Sequence, residues 1–183
     1  RGNLKRILPI KKELKFIKGD IRNYFQFDKA LKNIDALIHL AYINGTKYFY
    51  EKPELVLDVG LKGALNSLEA AEKHKVGTYI LASSSEVYQQ PENIPTSENE
   101  RAIIPNVLNP RFSYAGGKLI SELLTLNYLR NKNIREIIFR PHNIFGPNMG
   151  NEHVIPEIVS KLRIASEKWS LKHAEIEIQG SGE

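Results

Sequence analysis

Tyr114-Ala115-Gly116-Gly117-Lys118 sets a phenol and an ammonium four residues apart. On an α-helix that spacing shares one face, with Cβ atoms about 6 Å apart, and a neighbouring cation favours the phenolate. A phenol that gives up its proton more readily is an acid/base, so the pair outlines a proton-transfer site. Tyr48…Lys52 and Tyr128…Lys132 have the same spacing, and a chain with eight Tyr yields about one such match by chance if Lys fills roughly one position in ten. Context separates the three. The aromatic run around Tyr48 stops at Lys52-Pro53, where helix is disfavoured, and Tyr128…Lys132 falls where a helix ends before Asn133. Only Tyr114…Lys118 opens a long apolar-periodic segment, with Leu119, Ile120, Leu123, Leu124 and Leu126 expected on its buried side. On these residues alone, a surface Tyr beside a solvated Lys is the competing reading.

Positioning such a pair takes a scaffold, and short apolar runs alternating with amphipathic stretches predict one: an α/β fold with a parallel sheet and crossover helices. Strands are expected at 14–17, 36–40, 78–82 and 136–140, and helices at 27–31, 55–74, 114–131 and 155–169. The alternating tail 174–178 suggests one more strand. Pro91, Pro95, Pro105 and Pro110 punctuate a long loop after Tyr88, and loops of such length in compact domains are usually functional. Ligands of open α/β sheets bind beyond the carboxyl ends of the strands, so Gly19-Asp20, Leu40-Ala41, Ser83 to Ser85 and Arg140 to Asn143 are expected to line one crevice.

The 183 residues fit one domain, and 42% hydrophobic content suffices for a core. The absence of Cys excludes disulfides, Cys nucleophiles and thiolate metal sites, and no metal site is expected. No apolar run reaches the ~20 residues of a membrane span, and no signal-peptide pattern opens the chain, so a soluble, cytoplasmic protein is expected. The net charge of +5 is spread along the chain without aromatic-basic interleaving, which favours an anionic small molecule over nucleic acid. The first residues are Arg1-Gly2-Asn3 and Met149 is the sole Met, so a segment of a longer protein is expected.

Six segments in order resemble the extended short-chain dehydrogenase/reductases that act on nucleotide sugars, the NAD-dependent epimerase/dehydratases. They are Lys18-Gly19-Asp20-Ile21-Arg22, Ile38-His39-Leu40-Ala41, the stretch 63–71, Ser83-Ser84-Ser85-Glu86-Val87-Tyr88, Tyr114 to Lys118, and the stretch 140–147 beginning Arg140-Pro141-His142-Asn143. The resemblance implies a partial Rossmann-type, doubly wound parallel sheet with flanking helices. Residues 1–150 would form an NAD(P)-binding domain lacking its Gly-rich start, and 151–183 the beginning of a substrate-binding region.

The resemblance also implies roles. Tyr114 would take a proton from a sugar hydroxyl as hydride leaves the same carbon for NAD, its pKa lowered by Lys118 and by the cofactor. Lys118 would hold the nicotinamide ribose as well, and Ser84 would hydrogen-bond the reacting oxygen. Asp20 and Ile21 match the pair at the adenine, Leu40 and Ala41 the strand end beside phosphates and ribose, and Ser83, Pro141 and His142 further cofactor contacts. Ser84, Ser85 and Asn143 match substrate contacts, Asn143 at the sugar nucleotide's phosphate. In the family's dehydratases and decarboxylases a Thr/Ser, Asp/Ser, Glu triplet follows this strand, and Ser84-Ser85-Glu86 has the Glu without the middle Asp. Glu86 is therefore a catalytic candidate, with epimerase, dehydratase and decarboxylase open, beside a non-enzymatic scaffold. NADP is an alternative to NAD, since the ribose-reading residue would precede Arg1. A homodimer through helices near 55–74 and 114–131 is also implied.

The chain departs from the family at several points. The Gly-rich turn that holds pyrophosphate at a helix N-terminus is absent, as is most of the C-terminal substrate domain. Position 60, often Asn in the family, is Gly60. Taken alone, the segment is expected to bind NAD weakly or not at all, and to be inactive.

Overall fold

Three short segments rich in Ile and aromatic residues, types that suit a pleated and half-buried surface, form the sheet. In the computed structural model, which describes residues 4–146, 149–150, 153–167 and 177, these are β1 (Ala36–His39), β2 (Thr78–Ala82) and β3 (Arg135–Phe139). They pair in parallel in the order β1-β2-β3, with Ile38 opposite Ile80 and Ile80 opposite Ile137. Backbone bonds tie their amino ends, Gly77 N to Asp35 O at 2.9 Å and Arg135 N to Gly77 O at 2.9 Å.

The helices are α1 (Tyr24–Ala30), α2 (Thr46–Glu51), α3 (Pro53–Lys73), α4 (Ser113–Tyr128) and α5 (Val154–Glu167). Local chemistry sets their ends. Asn23 caps α1 by accepting from Gln26 N, and Pro53 takes the first position of α3, where its missing N–H costs nothing. After α3, Lys75 adopts φ 52°, reversing the chain toward β2. One face of the sheet is buried through Leu37, His39, Tyr79 and Leu81, while Ile38 on the other face is 59% exposed. The core joins Leu37, Tyr79 and Leu81 to Leu68, Ala70 and Ala71 of α3 and to Leu129 and Ile134 around β3. Full burial of a side chain such as Leu68 stabilises by about 1.5–3 kcal/mol.

Three expectations change. Residues 14–17 form no strand: among the described residues no neighbouring strand takes up their ladder, and Leu14, Phe16 and Ile17 stay about half exposed. The aromatic run does form a helix, α2, which stops one residue short of Pro53 and buries Phe49. The third correction concerns α4. Its buried residues are Tyr114, Ala115, Gly117, Lys118, Ser121, Glu122 and Thr125, whereas Ile120, Leu123 and Leu126 are 42%, 54% and 46% exposed. Small residues let α4 approach α3 closely, and two of its buried hydroxyls are satisfied within the helix. Ser121 Oγ donates to Gly117 O (2.7 Å) and Thr125 Oγ1 to Ser121 O (2.8 Å).

The chain divides into two compact units, 1–142 and 143–183. In the second, the Glu157–Lys161 pair (2.8 Å) lies one turn apart on α5, and Lys161 Nζ donates to Glu177 O (2.7 Å). The expected strand at 174–178 lies outside the described residues except for Glu177, and the expected end of the last helix at Trp169 also lies outside them.

Candidate active site

The carboxyl end of β2 places the first functional group. Ser83 N donates to Phe139 O (2.8 Å) and Ser85 N to Pro141 O (3.1 Å), which carries the pairing of β2 and β3 past the strand ends. Between them Ser84, 8% exposed, accepts at Oγ from Glu86 N (3.2 Å) and so caps the 3-10 turn Ser85–Val87. The second group comes from the loop before α4. Asn109 accepts from Arg111 N (3.0 Å), capping the 3-10 turn Pro110–Phe112 that runs straight into α4. Tyr114 therefore sits in the first turn of α4, and Lys118 one turn later on the same face.

Tyr114 is 8% exposed, stacked on Phe49 (centroids 5.1 Å apart, 22° between planes) and edge-on to Tyr42 (5.3 Å, 88°). Burial pushes its phenol pKa up, hydrogen bonding to Ser84 opposes the rise, and the charge of Glu86 adds to it. A Tyr114 pKa lowered by Lys118 is thus not what these residues produce by themselves. The reason is geometric. Lys118 Nζ donates to Ala82 O (2.6 Å) and lies 4.2 Å from the Tyr42 ring centroid, against 5.7 Å from that of Tyr114. Lys118 is itself 3% exposed, and burial lowers its ammonium to about 8 against a partial lift from Glu122. His39, at the end of β1, is lowered to about 4 by burial and by the Lys118 charge, so it is neutral at pH 7.

Two carboxylates brace the rim. Glu86, about one-third exposed, pairs with Arg111, which donates from Nη2 to Oε1 at 3.3 Å. Glu122, buried one turn after Lys118, receives both arms of Arg140 (Nε to Oε1 2.9 Å, Nη2 to Oε2 2.7 Å). Arg140 also donates to the Tyr88 hydroxyl (2.7 Å) and to Glu98 O (3.2 Å), so one guanidinium ties β3 to α4, to the turn after β2 and to the long loop. Fork-to-fork pairing of this kind is both strong and orienting.

The other candidates fall as follows. Asp20 is gripped by Arg22 (Nη2 to Oδ2 2.7 Å, backbone N to Oδ1 2.9 Å), which lowers its carboxyl to about 2, and Arg22 reaches on to Asp58 of α3 (2.8 Å). Ile21 O accepts from Asn66 Nδ2 (2.8 Å), and the Ile21 side chain fills the space over Gly63, where an added Cβ would meet Ile21 Cδ1 at 2.3 Å and His39 Cε1 at 3.6 Å. Leu40 and Ala41 follow β1 in exposed positions, Ser85 is half-buried, and His142 is exposed at the end of the first unit. Asn143, also exposed, opens the second unit. Ser84, Tyr114 and Lys118 are thus brought together with Ser83 alongside, while Asp20 and Ile21 form a separate corner on α3.

The sequence profile of the NAD dependent epimerase/dehydratase family matches residues 2–183. The chain belongs to that family. It is 28% identical over 174 residues to the dTDP-D-glucose 4,6-dehydratase of Dictyostelium discoideum, a match covering 88% of this chain and 39% of that protein. It is 34% identical over 113 residues to a probable UDP-glucuronate 4-epimerase of Rhizobium meliloti (strain 1021), covering 62% and 32%. Among solved structures it is similar to DesIV, a dTDP-glucose 4,6-dehydratase of Streptomyces venezuelae with NAD and TYD bound, at 25% identity and a TM-score of 0.80 over 89% of this chain and 49% of that one. The chain therefore spans less than half the length of these relatives, and the Rossmann-like sheet with flanking helices is the fold they share. For this family member no group of three metal ligands, and no helix long and apolar enough to cross a membrane, occurs among the described residues.

Sequence reading passed over Tyr42, His39 and Glu122 as site residues, and it placed Arg140 at the crevice without its pairing to Glu122. The signals were faint ones: a Tyr two residues beyond a strand end, and glycines at positions 60 and 117 on two facing helices.

Proposed function

We propose that the full-length protein is an NAD-dependent nucleotide-sugar epimerase or dehydratase that transiently oxidises a sugar hydroxyl. The observation that carries this reading is the convergence of Ser84 and Tyr114, both 8% exposed, with Lys118, which is buried one helical turn on and bonds Ala82 O two residues before Ser84. Ser84 holds the reacting oxygen, Tyr114 accepts its proton, and Lys118 supplies the only ammonium of the described site close to both phenols. Phe49 and Tyr42 pack on the Tyr114 ring, which is 8% exposed, and so limit the water that reaches the phenol.

The residues present fit a dinucleotide. Ser83 Oγ and His39 Nε2 are buried without a hydrogen-bond partner among the described residues, and both lie at strand carboxyl ends, where a polar ligand would satisfy them. NAD, when bound, supplies a hydride acceptor. Ser83, Tyr114, Lys118, Pro141 and His142 would hold its nicotinamide half, Leu40 and Ala41 would lie beside its phosphates and ribose, and Asp20 with Ile21 would hold its adenine. Ser84, Ser85 and Asn143 would contact the sugar nucleotide, with 1–150 as cofactor domain and 151–183 opening the substrate region. NADP remains the alternative within this reading. The exposed Ile120, Leu123 and Leu126 on α4 support a homodimer through α3 and α4, and a cytoplasmic location belongs to the same reading.

The alternative reading is a dehydratase or decarboxylase in which Glu86, on the 3-10 turn that Ser84 caps, serves as a base at a carbon beside a newly formed ketone. The test is incubation of the full-length protein with NAD and a panel of nucleotide sugars, with products resolved by mass and NMR. Water or carbon dioxide lost from the sugar identifies the Glu86 reading, and an isobaric epimer the plain redox cycle. A protein that retains no dinucleotide and converts no nucleotide sugar would overturn the proposal in favour of a scaffold.

A further inference from the structure

Tyr42 occupies a slot made by two missing side chains. A Cβ built on Gly60 of α3 would stand 2.1 Å from Tyr42 Cζ, and one on Gly117 of α4 would stand 2.0 Å from the Tyr42 hydroxyl oxygen. Both distances lie far inside van der Waals contact, and the obstacle is a packed aromatic ring. The slot adjoins Lys118 directly, since Gly117 precedes it in the chain. Lys118 Nζ rests 4.2 Å from the ring centroid, where the negative face of an aromatic ring attracts a cation. The same ring meets Tyr114 edge-to-face at 5.3 Å, so one side chain touches both members of the proton-transfer pair. The Tyr42 hydroxyl is buried without a partner among the described residues, so the ring and its slot, and not a hydrogen bond, hold it in place.

We propose that Tyr42 is the positioning residue of the Tyr114–Lys118 pair: its face carries the Lys118 ammonium, its contact with Tyr114 sets the attitude of that ring, and Gly60 and Gly117 are its seat. This rests on the reading of Tyr114 and Lys118 as the reacting groups. Lys118 is also faced by the Ala82 carbonyl of β2, by His39 of β1, and by Glu122 and Tyr114 of α4, none of which a Tyr42 substitution removes. A buried ammonium that loses its aromatic face is harder to keep charged, so the Lys118 pKa should fall when Tyr42 is replaced by an aliphatic residue.

The test compares Tyr42→Leu, Tyr42→Phe and Gly60→Ala in the full-length protein. Titration of isotope-labelled lysine side chains by NMR, with the Lys118 signal identified by its loss in Lys118→Arg, reads the ammonium directly. The Lys118 pKa is expected to fall by roughly one unit in Tyr42→Leu, and in Gly60→Ala, whose new Cβ displaces the ring, and to recover most of that in Tyr42→Phe. In turnover, the basic limb of the pH–rate profile should move by the same amount, with kcat down about tenfold and KM nearly unchanged. An unshifted Lys118 titration in folded Tyr42→Leu overturns the proposal, and where Tyr42→Leu does not fold, an unshifted Gly60→Ala does so. Loss of the shift's recovery in Tyr42→Phe also counts against it, because the hydroxyl would then be the active part. Absence of turnover in the unmodified protein would tell against the proposed reaction, while the lysine titration would still decide the role of Tyr42.

Discussion

At the carboxyl end of β2, Lys118 is 3% exposed and its ammonium is pushed down to about 8, whereas at the corner on α3 a half-exposed Asp20 is held down at about 2 by Arg22. Burial opposes charge in the first region, and direct ion pairing sustains it in the second. The Lys118 site is costly to the fold, because an ammonium has left water for one carbonyl and an aromatic face. The Asp20–Arg22–Asp58 chain is wet, and pairs of that kind contribute little to stability. On the proposed reading the first region serves proton transfer, and the second keeps a shape that a ligand can meet.

The largest effect expected to sharpen this contrast is in catalysis. Tyr114→Phe in the full-length protein should lower kcat by about 10²–10⁴-fold while leaving the melting transition almost in place, read by turnover of whichever nucleotide sugar the panel identifies. Next comes the brace of the buried site. Glu122→Ala strands Arg140 and removes half of a buried pair, so chemical unfolding should show a loss of about 3–5 kcal/mol, whereas Asp58→Ala at the wet corner should leave the unfolding midpoint within its experimental scatter.

The pH dependence of stability separates the regions further. Lys118 is depressed from 10.5 to about 8 in the fold, so between those values the unfolded chain binds more protons and stability rises with pH. Below about 8 the full penalty of burying the charge is present. Lys118→Met should remove that rise and stabilise the protein at pH 7 by up to about 3 kcal/mol while abolishing turnover, checked by denaturant titrations across the pH range. The smallest effect belongs to the corner: Asp20→Ala should weaken NAD binding about tenfold in calorimetry and leave the thermal midpoint unchanged.

Much of the candidate site's arrangement was legible because its spacing is local. Tyr114 and Lys118 are one turn apart on a helix whatever surrounds it, and Ser83 to Glu86 follow an apolar run that reads as a strand. The orientation of α4 was not legible. Its Leu and Ile residues suggest a buried side, yet Ser121, Glu122 and Thr125 turn inward, because Gly117 and small residues on α3 permit close approach and Arg140, distant in sequence, neutralises Glu122. The segment 14–17 was misread for a related reason, since strand propensity is realised only when another strand supplies the ladder. Likewise α2 was obscured by Pro53, which begins the next helix and does not stop this one from forming.

By itself, the sequence determined the alternation of strands and helices, the family pattern, and the spacing that puts Tyr114 and Lys118 on one face, because periodicity and i,i+4 geometry are properties of adjacent residues. Only the tertiary structure decided that Lys118 faces Tyr42 and Ala82 O more closely than Tyr114, that His39 is buried and neutral, and that Gly60 and Gly117 leave room for one ring. These depend on how closely two helices approach above a sheet edge, and that distance is set by side chains up to 75 residues apart, as between Tyr42 and Gly117. Desolvation and contact are sums over such distant neighbours, and no local reading of the chain contains them.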